Sequence, residues 1–153
     1  MSDNENILYM ELEDGTVKIE MRPDLAPKHV ERIKKLSNEG YYDDLIFHRV
    51  IDGFMAQTGC PDGTGMGGTG DKLVAEFSDE PYVRGTIGMA RAASPDSGDS
   101  QFFITFGDAS FLNGQYTVWG KVIEGMDFID AVNRGEPPAN PDKIVKMSST
   151  TEG

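Results

Sequence analysis

The residues with the greatest chemical capacity stand in one short stretch, FHRVIDGFMAQTG, at 47–59. Its apolar residues predict two adjacent strands that bury side chains. Arg49 and Gln57 stand in the two flanks, and both carry several hydrogen-bonding groups. A guanidinium does not lose its proton, and burying it without a partner costs free energy. We therefore expect Arg49 either to face plain solvent or to serve a ligand on that surface.

The connection between the two flanks decides whether Arg49 and Gln57 share a face. A two-residue turn at 52–53 puts them on opposite faces, whereas a three-residue connection at 52–54 places them directly opposite each other. We predict the second register because it gives the guanidinium an amide partner. A fixed cation beside apolar side chains is typical of a binding surface.

A glycine-rich loop follows, GCPDGTGMGGTG at 59–70, and it contains the pattern G-x-G-x-x-G twice. A dinucleotide fingerprint needs a strand before this pattern and a capped helix after it. Only a short segment precedes Pro81, and Asp71 interrupts the phosphate-loop pattern before Lys72. We interpret the loop as a flexible wall rather than a nucleotide site.

Metal and covalent chemistry find no support in the sequence. The two histidines, His29 and His48, have no ligand spacing between them. Cys60 has no evident base and is interpreted as inert, and neither Ser100 nor Ser110 stands in a nucleophile elbow. We therefore predict a protein without a metal, a cofactor or a covalent nucleophile.

Length and charge restrict the class of protein further. The 153 residues are expected to form one domain, 1–153, and the net charge of −12 argues against nucleic acid or an anionic membrane as partner. A single cysteine fits a reducing compartment. The N-terminal MSDNENILYM is no secretory signal, and no run approaches the ~20 apolar residues of a membrane helix. We expect a monomer in the cytosol.

Residues 6–22 give the clearest hairpin pattern, since apolar and polar residues alternate on both sides of Asp14-Gly15. A two-residue turn there would pair Leu12 with Val17 and place every apolar side chain on one face.

Helices are predicted at 27–38, where Pro27 suits the first turn and Gly40 can end the helix, and at 124–135. Further strands are predicted at about 45–51, 54–59, 85–90, 100–106, 116–122 and 143–147. Strands and helices do not alternate, so the sheet should be antiparallel. The predicted fold is mainly β: a closed eight-stranded antiparallel β-barrel with two α-helices covering its ends.

Four motifs give the chain a resemblance to a known family. They are F-H-R-V-I-x-x-F-M-x-Q at 47–57, M-A-x-A at 89–92, S-Q-F-F-I at 100–104 and W-G-K-V at 119–122. Together they resemble the cyclophilins, which are peptidyl-prolyl cis-trans isomerases, and the short single-domain form is similar to the bacterial cytosolic branch. The resemblance covers nearly the whole chain.

The resemblance implies a role for each matching position. Arg49 matches the catalytic arginine and Gln57 the glutamine that holds it. The remaining substrate-binding positions are a proline pocket of Phe54, Met55, Phe103 and Leu112, a backbone-holding wall of Ala90, Arg91 and Gln101, and the neighbouring His48, Phe111 and Tyr116. Three positions depart from the common pattern: Arg91 replaces an asparagine, Phe111 a tryptophan and Tyr116 a histidine.

The activity that the resemblance implies is rotation about X-Pro bonds, which assists protein folding and needs no cofactor. The implied partners are proline-containing peptides and unfolded or flexible chains, and cyclosporin A should bind weakly because Phe111 lacks an indole N–H. A proline-peptide binding module and a holding chaperone stay open as alternatives. Arg49 together with Gln57 favours the enzyme, because neither alternative needs that pair.

Overall fold

A computed structural model of the chain describes residues 7–149, apart from positions 62, 64–66, 92, 93, 95 and 137. Part of the glycine-rich loop, Ala92 of the M-A-x-A motif and most of the N-terminal segment considered above lie outside the described residues. The described residues form eight β-strands: β1 Ile7–Leu12, β2 Thr16–Met21, β3 Arg49–Ile51, β4 Met55–Thr58, β5 Thr86–Met89, β6 Phe102–Thr105, β7 Val118–Glu124 and β8 Ile144–Ser148. They also form the α-helices α1 Pro27–Asn38 and α2 Met126–Asp130 and a 3₁₀ turn, Ser110–Leu112.

The strands form one antiparallel sheet in the order β3-β4-β6-β5-β7-β2-β1-β8. The sheet curls into a half-barrel, and the predicted closure of the barrel is not confirmed. Among the described residues, no ladder joins the edge strands β3 and β8. The chain before β3 nevertheless meets the start of β8 through a bridge between Ile46 and Lys143 and through three backbone hydrogen bonds, two of them to Ile144. The edge of β3 is instead covered by Gly135, whose N–H and C=O both bond to Val50.

The first hairpin has a different register from the predicted one. Met10 lies opposite Val17, and Leu12 exchanges both backbone hydrogen bonds with Gly15. The two-residue turn is therefore Glu13-Asp14, not Asp14-Gly15. A shift of two residues keeps every apolar side chain on the same face, so the alternation in the sequence fits both registers equally well.

Helix α1 has the predicted bounds, with Pro27 in its first turn and Gly40 in a left-handed conformation after its end. Its stripe Val30, Ile33 and Leu36 packs into the main apolar core. Helix α2 is only five residues long, much shorter than predicted, although Ile129 is fully buried. Whether the helices cover barrel ends stays a prediction. No helix of the described residues has the length and apolar character needed to cross a membrane.

The second hairpin has the predicted three-residue connection, with Arg49 opposite Gln57 and Ile51 opposite Met55. The next position along each strand points to the other face of the sheet. Those residues, Val50, Ala56, Ile87 and Ile104, all belong to the main core. One face of this part of the sheet therefore packs the core, and the other face remains for a site.

Candidate active site

One row of residues crosses four neighbouring strands and builds the floor of the site. Arg49 on β3 lies opposite Gln57 on β4, Gln57 lies opposite Phe103 on β6, and Phe103 lies opposite Gly88 on β5. Directly opposite residues of an antiparallel pair present their side chains on the same face. The sheet therefore aligns a cation, an amide and an aromatic ring, although they are far apart in the sequence.

Gly88 ends this row without a side chain, and two aromatic rings use the space. A Cβ atom at this position would meet the hydroxyl of Tyr82 and lie 2.8 Å from Cζ of Phe103. The rings of Tyr82 and Phe103 stack with centroids 5.7 Å apart. Tyr82 is fully buried and donates its hydroxyl to the carbonyl of Tyr116, and burial raises the pKa of Tyr82. Tyr82 is thus a neutral support behind Phe103.

A cavity of about 120 Å³ opens on this face. The described residues that line it are Arg49, Phe54, Met55, Gln57, Ala90, Arg91, Phe103, Leu112 and Tyr116. All nine are among the twelve site residues named from the sequence. Most of the apolar ones belong to a small cluster with Tyr82 and Val118, separate from the main core.

The guanidinium of Arg49 is held on two sides. Its Nη1 donates to Oε1 of Gln57 at 3.4 Å, and its Nε donates to Oε1 of Glu136 at 3.1 Å. Gln57 donates in turn to Oε1 of Gln101 at 3.0 Å, and Gln101 donates to the carbonyl of Gly67 at the same distance. The arginine is thereby connected through two amides to the glycine-rich loop.

Arg91 and the aromatic residues form the opposite wall. The guanidinium of Arg91 lies 4.4 Å from the centre of the Tyr116 ring and donates twice to the carbonyl of Gln115. Tyr116 also meets Phe103 edge-on, with ring centroids 5.7 Å apart. The side chain of Arg91 is therefore engaged with the wall itself.

The other three predicted residues do not line this cavity. Gln101 bonds to Gln57 and lines a second, adjoining cavity of about 450 Å³. Phe111 lies on the rim, 65% exposed, with its ring 5.4 Å from that of Phe54. His48 is buried and lines neither cavity. A direct substrate contact of His48 stays a prediction.

Sequence reasoning missed three residues of this site: Tyr82, Gly88 and Glu136. Glu136 is separated from Arg49 by 87 positions, and no periodicity connects them. Nor did the sequence associate Tyr82 or Gly88 with the cavity. Among the described residues, no three His, Cys, Asp or Glu side chains are grouped as metal ligands would be.

The comparison with protein families decides the identity. Residues 7–151 match the family model described as cyclophilin type peptidyl-prolyl cis-trans isomerase. The chain belongs to this family. Its enzyme activity is that of a peptidyl-prolyl cis-trans isomerase.

Individual relatives agree with this. A probable peptidyl-prolyl cis-trans isomerase of Brucella suis is 53% identical over 96% of this chain and 84% of its own length. Peptidyl-prolyl cis-trans isomerase B of Bacillus subtilis is 45% identical over 84% of this chain and 91% of its own.

Solved structures show the same fold. A cyclophilin from Hirschia baltica superimposes with a TM-score of 0.89, at 28% identity, over 98% of this chain and 76% of its own. A cyclophilin type isomerase from Cryptosporidium parvum, crystallised in the presence of the dipeptide Ala-Pro, gives a TM-score of 0.87 at 31% identity, over 95% of this chain and 99% of its own.

Proposed function

We propose that this cyclophilin accelerates X-Pro rotation without covalent or metal chemistry, with Arg49 donating a hydrogen bond to the prolyl nitrogen. The observation that carries the proposal is the position of the guanidinium at the wall of an apolar, aromatic-lined cavity. The cavity measures about 120 Å³. A cavity of about 150 Å³ holds a benzene molecule, so a single proline ring is the right size.

The chemistry of the bond explains why a cation is needed there. Amide resonance gives the X-Pro bond a barrier of about 18–20 kcal/mol. In the planar state the nitrogen lone pair is delocalised, whereas in the twisted state it is localised and accepts a hydrogen bond. A donor aimed at the nitrogen therefore binds the twisted state better than the planar one, and that difference lowers the barrier.

The surrounding residues would bind the proline ring and the substrate backbone. Phe54, Met55, Phe103 and Leu112 would hold the ring, and Gln57 would keep the arginine facing it. An apolar environment also disfavours the more dipolar planar amide. We propose that Ala90, Arg91 and Gln101 hold the substrate backbone while the other side of the bond turns.

The substrates we propose are proline-containing segments of unfolded or flexible chains, and the cellular role is assistance of protein folding. Prolyl isomerisation takes tens to hundreds of seconds at 25 °C, so it limits the folding of many chains. We place the protein in the cytosol because its single cysteine, Cys60, suits a reducing compartment.

The proposal is tested by NMR exchange measurements on an X-Pro peptide with wild type and Arg49→Ala. We expect kcat/KM to fall roughly 10²- to 10³-fold, as when one transition-state donor is deleted. Arg49→Lys should recover little, because a point charge lacks the fork of donors. Thermal denaturation establishes that each variant is folded.

Arg84→Ala is the matched control. Its side chain is 49% exposed, against 44% for Arg49, and it is also paired with a carboxylate, that of Asp130. Arg84 does not line the cavity, so its removal should leave kcat/KM unchanged. Full activity in Arg49→Ala, or an equal loss in Arg84→Ala, would contradict the proposed mechanism.

A further inference from the structure

The geometry points to Glu136 as a positioning residue for Arg49. Its Oε1 accepts from Nε of Arg49 at 3.1 Å, a shorter contact than the 3.4 Å between Nη1 and Gln57. Both contacts have a cationic donor, but only Glu136 is also an anion, so a Coulomb attraction adds to its hydrogen bond. The carboxylate, and not the amide alone, therefore fixes the plane of the guanidinium. This inference rests on the role proposed above for Arg49.

The backbone places Glu136 beside β3 with little freedom. The preceding residue, Gly135, donates its N–H to Val50 and accepts the N–H of Val50, each at 2.8 Å. Gly135 has φ +141°, in the region that favours glycine. Val50 is the neighbour of Arg49 in the strand. The two hydrogen bonds thus tie the chain before Glu136 to the strand that carries the arginine.

The two acceptors leave the donors needed for a substrate. A guanidinium has five N–H groups in a fixed fork. Glu136 takes the Nε–H and Gln57 takes one hydrogen of Nη1. The other three hydrogens, on Nη1 and Nη2, have no acceptor among the described residues. Because Glu136 holds the guanidinium at Nε and Gln57 holds it at Nη1, the three remaining hydrogens keep one direction relative to the cavity.

Holding Arg49 matters because its side chain is 44% exposed. An exposed arginine samples many rotamers, and ordering it costs conformational entropy. Contacts already formed in the free enzyme remove that cost from the reaction and keep the donor aligned with the nitrogen. We therefore expect Glu136 to act on kcat more than on KM.

The test compares Glu136→Ala and Glu136→Gln, using the same peptide exchange assay. We expect Glu136→Ala to lose roughly 5- to 20-fold in kcat/KM, which is part of the loss caused by misplacing a catalytic group. Glu136→Gln should lose less, because it keeps an acceptor oxygen. In an Arg49→Ala background, Glu136→Ala should have no further effect, since the residue acts through the arginine.

Asp52→Ala is the matched control. Asp52 binds Nε of Arg134 at 3.1 Å, so the geometry and the change in charge are the same, and it stands in the turn of the hairpin that carries Arg49. We expect it to change kcat/KM by less than about twofold, as for an ordinary surface substitution. Each of three results would overturn the inference. The first is an equal loss of kcat/KM in Asp52→Ala, and the second is a loss of less than about twofold in Glu136→Ala. The third is that Glu136→Ala causes the same loss in the Arg49→Ala background as in wild type.

An NMR readout separates this inference from the proposed function. The Nε–H of Arg49 should exchange with water distinctly faster in Glu136→Ala than in wild type, while that of Arg84 should not change. Full activity in Arg49→Ala, together with faster exchange of the Arg49 Nε–H in Glu136→Ala, would contradict the proposed mechanism but not the positioning role of Glu136. Equal exchange of the Arg49 Nε–H in wild type and Glu136→Ala would overturn the positioning role itself.

Discussion

Gly88→Ala tests how the sheet builds the cavity. A methyl group at this position would meet the hydroxyl of Tyr82 and lie 2.8 Å from Cζ of Phe103. Neither ring yields easily, because Tyr82 is fully buried and Phe103 is 5% exposed. The open direction for Phe103 is the cavity that it lines. The substitution should therefore both strain the protein and narrow the cavity.

The size of the effect follows from two opposing contributions. Forcing an extra methyl group into a packed site costs about 1–3 kcal/mol. Replacing glycine by alanine also restricts the unfolded chain, which stabilises the folded state by roughly 0.4–1 kcal/mol. Gly107→Ala should show only the restriction of the unfolded chain, because a Cβ at this position has nothing within 4 Å and the φ of Gly107 is not positive. The difference between the two variants isolates the clash.

We expect Gly88→Ala to melt roughly 2–12 °C below Gly107→Ala, taking about 2–4 °C per kcal/mol for a chain of this size. The KM of Gly88→Ala for an X-Pro peptide should rise, while that of Gly107→Ala should match wild type. Combining Gly88→Ala with Tyr82→Phe removes the hydroxyl that the methyl group meets. The double variant should therefore lose less stability than the sum of the losses of the two single variants. Equal melting temperatures and equal KM in the two glycine variants would refute the proposed packing.

Two further predictions concern inhibitor binding and pH. Phe111→Trp should tighten cyclosporin A binding by about 5- to 150-fold with little change in kcat/KM, because the exposed rim residue gains an N–H donor; equal inhibition constants would contradict this. Burial lowers the pKa of His29 below its ordinary 6.5 although it contacts Glu76. The unfolded chain therefore binds more protons just below about pH 6.5, and the free energy of unfolding should fall as the pH drops through that range. Urea denaturation at pH 7.5 and 5 should show a smaller drop in His29→Gln, and an equal drop would refute the assignment.

Sequence reasoning succeeded where a local pattern leaves one physical solution. Helix α1 has a proline at its first turn, an apolar stripe and a glycine after its end, and its bounds agree with the prediction. The pairing of Arg49 with Gln57 was predicted because only the three-residue connection puts both on one face. The first hairpin shows the limit of such reasoning. Its alternation of apolar and polar residues determines the face but not which residues of 12–15 form the turn, and a shift by two residues leaves the buried set unchanged.

The features that sequence reasoning does not find concern long-range geometry. A segment that follows α2 pairs with β3, where the N–H and C=O of Gly135 both bond to Val50. That same contact brings Glu136 to Arg49. The second support of the guanidinium thus comes from a segment that follows α2 and returns to the first strand of the site. No local pattern in the sequence contains that return, so sequence reasoning does not find Glu136. The motif at 47–57 supplies the arginine, the amide that bonds to it and part of the apolar wall, while the contact with Glu136 arises from the topology.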